Sequence, residues 1–60
     1  MVLYNLGCIY ALGGETARAL DCLEGAVRAG LTQKGWFDHD TNLDSLRSEA
    51  RFRALYPFLG

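Results

Sequence analysis

The stretch VLYNLGCIYALGGETARALDCLEGAVRAG, residues 2–30, decides the fold. Its first part carries Leu3, Leu6 and Tyr10 at helical spacing, and Val2 with Ile9 adds a second apolar line. The periodicity predicts a helix over residues 1–12 in which only Asn5 is frankly polar. A helix that is apolar all round is buried on more than one face. Gly13-Gly14 then ends it, because glycine accepts the left-handed geometry of a tight helix–helix turn. A second helix is expected over residues 15–29, with Glu15 in its first turn, where the helix dipole favours an acid. There Ala19, Leu20, Leu23, Ala26 and Val27 form one apolar stripe, with Arg18, Asp21, Glu24 and Arg28 mostly opposite. Glu24 and Arg28 stand four apart in the favourable order for an ion pair. Gly30 supplies the terminal cap. Gly7 and Gly25 sit inside helices, where glycine costs about 1 kcal/mol against alanine. Small residues on both helices predict a close antiparallel hairpin.

Beyond the hairpin, Leu31-Thr32 leads to a short helical turn over residues 33–38, with Thr32 as its cap. Trp36 and Phe37 are placed to close the bottom of the hairpin. The polar run Asp38-His39-Asp40-Thr41-Asn42 reads as a turn in which Asp40 or Thr41 caps the next segment. A further turn is expected over residues 43–47 and a final helix over residues 49–56, capped by Ser48 and stopped by Pro57. No pair of strand-like runs flanks a hairpin turn, so the class is all-α.

The chain has 60 residues, of which 50% are hydrophobic and 22% charged, with net charge −1. One domain is the upper bound, and the apolar content excludes disorder. The charge balance carries no basic footprint for nucleic acid. A chain this short buries only about 60% of its unfolded surface, so a lone core is marginal. Disulfides, a metal or association with another chain are the usual remedies. Cys8 and Cys22 are too few for a secreted scaffold, and no basic residue precedes the first apolar run as in a signal peptide. The expectation is a cytoplasmic protein with free thiols. Cys8, Cys22 and the single His39 do not make a paired metal motif. The apolar run is far short of the ~20 residues of a membrane span. Association remains.

Leu3, the run Tyr4-Asn5-Leu6-Gly7, Tyr10, Gly14, Ala19, Leu23 and Ala26 stand in one register. This pattern resembles a tetratricopeptide repeat, with Leu3 and Leu23 where the repeat usually has large aromatics and Leu31 where it has its closing proline. Trp36, Asp40, the run Asn42-Leu43-Asp44-Ser45-Leu46-Arg47 and Arg51-Phe52 resemble the closing segment of bacterial arrays of such repeats. There, prolines are frequent where this chain has Thr41 and Ala50. The resemblance implies one domain over residues 1–60: a helix–turn–helix repeat in 1–30 and a capping segment in 31–60. It also implies that the cap covers the second helix, while the first helix faces a neighbouring unit.

Candidate chemistry is sparse. Asp38-His39-Asp40 reads as a helix-capping turn, since three adjacent residues do not converge on a metal without further ligands. Both cysteines lie in helices among apolar neighbours, unlike a reactive thiolate. Gly-Gly-Glu lacks the lysine and hydroxyl of a phosphate loop. The aromatic residues have core spacing and no basic groove beside them. Arg47, Arg51 and Arg53 read as a solvated face paired with Asp44 and Glu49. No cofactor and no catalysis are expected.

In the repeat family the first helix lines the concave ligand groove. By position that surface is Met1, Tyr4, Asn5, Cys8, Ala11 and Leu12. Joined to the uncovered apolar face, the expected partner-binding residues are Leu3, Tyr4, Asn5, Cys8, Ile9 and Leu12. Leu3, Tyr4, Leu6 and Ile9 act as anchors and Asn5 orients the partner. The expected function is protein–protein contact, with a protein or peptide or, most simply, a second copy in a two-fold dimer. The other expectation is a structural cap that ends a larger array and has no ligand of its own.

Overall fold

A computed structural model describes residues 2–59; Met1, which the sequence reading places in the first helix and on its groove surface, lies outside the described residues. The helices are α1 (Val2–Leu12), α2 (Thr16–Arg28), α3 (Lys34–His39) and α4 (Ala50–Arg53), with 3-10 turns at Thr41–Leu46 and Tyr56–Phe58. The described residues contain no strand, and the fold is all-α.

Both long helices end in the same way. The Glu15 amide donates to the Tyr10 carbonyl at 2.9 Å and the Gly14 amide to Ala11 at 3.2 Å, which is a Schellman motif. The Leu31 amide repeats this onto Ala26, and the Gly30 amide onto Val27, each at 3.0 Å. The motif requires positive φ, and Gly14 (+78°) and Gly30 (+111°) provide it without a Cβ clash. The chain therefore reverses sharply after α1, and α2 returns antiparallel to it.

The two helices touch through their small residues. A Cβ on Gly7 would stand 2.9 Å from Leu23 Cδ2 and 3.4 Å from the Ala19 carbonyl oxygen, and one on Gly25 would stand 3.2 Å from Leu3 Cδ1. Ala19, Leu23 and Ala26 are consequently sealed from solvent. The second half closes the core with Leu31, Phe37, Leu43, Leu46, Phe52, Leu55 and Leu59. A relay of rings crosses it: Tyr4 to Phe37 at 5.7 Å, Phe37 to Phe52 at 6.0 Å and Phe52 to Tyr56 at 5.8 Å.

Arg47 organises the junction of α3 with the first 3-10 turn. Its guanidinium donates to the Phe37 carbonyl at 2.8 Å, the Asp40 carbonyl at 3.0 Å and the Asp44 carboxylate at 2.8 Å. A cation thus satisfies carbonyls that a short helix leaves open at its C-terminal end. Asp40 caps the 3-10 turn, as expected, by accepting from the Asn42 amide at 3.0 Å.

Several local expectations are corrected. Gln33, not Thr32, stands at the start of α3, and Glu49, not Ser48, at the start of α4; neither makes a side-chain cap bond. The final helix is not continuous to Tyr56. After Arg53 the Leu55 amide bonds back to Phe52 and the Phe58 amide to Leu55, a three-residue spacing that tightens the chain. Pro57 lies inside the resulting turn, near its start, where no amide donor is required. Glu24 makes its ion pair with Arg51 rather than Arg28, and Arg51 bridges Asp21 and Glu24 rather than Glu49. That pair straps α4 to α2. The second half of the chain also does more than cover α2: the first 3-10 turn packs chiefly on α1, where the Ser45 hydroxyl donates to the Ala11 carbonyl at 3.4 Å.

Candidate functional site

Residues three and four apart share a helix face. On α1 this sorts the side chains into two arcs. Tyr4, Gly7, Cys8 and Ala11 point into the molecule and are buried. Val2, Asn5, Leu6, Ile9 and Leu12 point out, with Leu3 at the border over Gly25. Val2 is 77% exposed, Ile9 62% and Leu12 69%. The described part of α1 carries no charged residue, so this open arc is apolar except for Asn5.

The partner-binding set read from the sequence therefore divides. Leu3, Asn5, Ile9 and Leu12 lie together on the open arc. Tyr4 and Cys8 do not: they belong to the interior, at 6% and 7% exposure, although Tyr4 still lines a depression with Asn5 and Trp36. The cause is the second half of the chain, which packs on that side of α1. The Tyr4 hydroxyl donates to Asp40 Oδ2 at 2.6 Å and lies 3.2 Å from the Trp36 carbonyl oxygen. The Cys8 thiol reaches the same carboxylate oxygen at 3.6 Å.

This cluster has a definite charge state. Burial, then the bond to Asp40, drives the Tyr4 phenol far above its ordinary range. Burial and the nearby Asp40 charge push the Cys8 thiol up. The Tyr4 hydrogen bond, with help from the Asn42 amide, holds the Asp40 carboxyl below the usual carboxylate value. A thiol beside a carboxylate stays protonated, the opposite of an activated nucleophile. The arrangement is a structural tie between α1 and the α3 junction. Among the described residues no group of three or more His, Cys, Asp or Glu could hold a metal, and no helix is long and apolar enough to cross a membrane.

Two features escape the sequence reading. The expected partner set omits Val2, although it is the most exposed large apolar residue of α1. Asn5 is the signal that could have found it, since the one polar residue of an otherwise apolar helix marks its outward side. The expectation that Trp36 closes the core with Phe37 holds for only one of the pair: Phe37 is sealed, but Trp36 is 45% exposed. Its ring packs on Tyr4 at 5.1 Å and lines a shallow depression beside Asn5. A second concavity, of about 480 Å³, lies between α2 and the C-terminal turn, lined by Val27, Leu55 and Phe58 with Glu24, Arg28 and Arg51.

Comparison of the chain with protein-family models, with curated proteins and with solved structures gives no match.

Proposed function

We propose that this chain is a non-catalytic interaction module of tetratricopeptide-repeat type that self-associates through the open arc of α1. The observation that carries the reading is the asymmetry of α1: one arc is closed by the chain's own second half, and the other offers Val2, Leu6, Ile9 and Leu12 to solvent. The register of Leu3, Gly7, Tyr10, Ala19, Leu23 and Ala26 supports the repeat assignment, as does the contact of Gly7 with Leu23. A second copy is the occupant that best suits an arc with no charge to match, because an uncharged apolar face is complementary to itself. Fully burying an aliphatic side chain is worth roughly 1.5–3 kcal/mol, and a two-fold contact buries the same residue in both copies. Two unpaired cysteines suit a reducing compartment, so the cytoplasm is the proposed location.

A second reading rests on the same asymmetry. A unit closed on one side and open on the other has the form of the last element of an array, and α1 would then receive the preceding repeat.

Sedimentation equilibrium from about 1 μM to about 1 mM, a span that covers weak to moderate affinities, tests the proposal. The expected result is a monomer–dimer equilibrium that Ile9→Glu abolishes. A monomer throughout the range rules out the dimer. Heterotypic binding of an upstream repeat to α1 by that monomer establishes the capping reading.

A further inference from the structure

We propose that the depression between α1 and α3 binds the guanidinium of an arginine side chain presented by the chain that docks on α1. It has a volume of about 430 Å³ and is lined by Tyr4, Asn5, Gly35, Trp36, His39 and Asp40. Three observations converge there. The indole of Trp36 is 45% exposed and meets the Tyr4 ring at 5.1 Å and 59°, giving the depression an aromatic wall. Planar guanidinium groups stack on such surfaces and are drawn to their negative faces.

The Asp40 carboxylate is half-buried and takes hydrogen bonds only from neutral groups: the Tyr4 hydroxyl, the Cys8 thiol and the Asn42 amide. Among the described residues no cation forms an ion pair with it. Arg47 directs its guanidinium to Asp44 and to the backbone carbonyls of Phe37 and Asp40. The Asp40 carboxyl, held low chiefly by the Tyr4 hydrogen bond and further by the Asn42 amide and the nearby Arg47 charge, stays ionised beside the aromatic wall without a direct ion-pair partner, and the Asn5 amide adds a polar group. The concavity near Phe58 shows the contrast: its carboxylate, Glu24, already holds Arg51 at 2.9 Å and has no charge left to offer.

The depression adjoins the open arc of α1 through Asn5, so a partner lying on that arc can reach it. The inference rests on the proposed docking only for the source of the arginine. The site itself is read with a free probe, so its failure and that of the dimer are separable.

Trp36 is the single tryptophan of the chain, and its fluorescence reports on the site directly. The whole chain, dilute and at pH 8, is titrated with N-acetyl-arginine amide and separately with N-acetyl-citrulline amide, its uncharged isostere. The expected result is saturable binding of the arginine probe, with a Kd of millimolar order, and binding of the citrulline probe at least about tenfold weaker. Asp40→Asn should bring the arginine probe down to the citrulline level. Equal binding of the two probes, or no saturable binding of the arginine probe, overturns the proposal. So does undiminished arginine binding by Asp40→Asn. Where Asp40→Asn loses its helical circular dichroism, Trp36→Leu replaces it, followed through the Asn5 side-chain amide resonances. A tenfold loss then supports the site, and unchanged binding overturns it.

Discussion

The two arcs of α1 are both largely uncharged and share one eleven-residue helix, yet one is sealed and the other is open. Hydrophobicity does not separate them: Ile9 and Leu12 outrank Cys8 and Ala11 on any transfer scale, and it is Cys8 and Ala11 that are buried. What separates them is size and hydrogen bonding. The inner arc pairs small residues, which let α2 approach, with one tyrosine whose hydroxyl has a carboxylate waiting beyond the end of α3. The outer arc has bulk and no partner. The dense contact thus forms on one side of α1, and the apolar surface of the other side faces solvent.

The inner arc is the more sensitive to substitution. Gly7→Val should have the largest effect, because its β-carbon would meet Leu23 Cδ2 at 2.9 Å in a fully buried site. Overpacking of this kind costs about 1–3 kcal/mol, a large share of the stability of so small a fold, and chemical denaturation followed by circular dichroism would show the lowered midpoint. Tyr4→Phe comes next. It keeps the ring contacts with Trp36 and Phe37 and removes only the donor to Asp40, a loss of about 1–2 kcal/mol by the same measurement.

The pH dependence arises in the same cluster. Asp40 titrates below its unfolded value, so its contribution is present above about pH 4 and is lost as pH falls through the folded value. Cys8 and Tyr4 are raised, so their contribution is complete below their unfolded values, about 8.5 and 10, and is lost as pH rises above them. Thermal melts should show a stability plateau between about pH 4 and 8.5, with the acid limb flattened in Tyr4→Phe.

The outer arc should behave in the opposite way. Ile9→Glu changes fold stability by no more than about 0.5 kcal/mol at dilute protein while removing association, because a side chain in water loses no packing. The smallest effect is expected on the far side of the molecule. Arg51→Gln removes partly exposed ion pairs to Asp21 and Glu24, and its denaturation midpoint should fall only slightly below that of the parent chain.

How much of this is legible in the sequence depends on the kind of signal. The hairpin is readable because its determinants are local. Gly14 and Gly30 end helices by their backbone freedom, and the stripe of Ala19, Leu20, Leu23 and Ala26 has a clear period. The second half is less readable, because its short elements are fixed by distant groups. Arg47 reaches back to Phe37, and α4 is strapped to α2 by Arg51, bonds that no local periodicity announces. The site is half legible for a related reason. That α1 has one apolar face too many follows from its composition. Which face stays open depends on where Asp40 and Trp36 fall, thirty-odd residues later, and sequence position alone therefore does not reveal that Tyr4 and Cys8 are buried.

Whether the open arc of α1 meets the same arc of a second copy is best decided by an isotope-filtered NOE experiment. It uses a mixture of ¹³C-labelled and unlabelled chains at a concentration where association is established. The expected result is a set of intermolecular cross-peaks among the methyl groups of Val2, Leu6, Ile9 and Leu12. Intermolecular cross-peaks confined to Val27, Leu55 and Phe58, with none from α1, would contradict self-association through that arc.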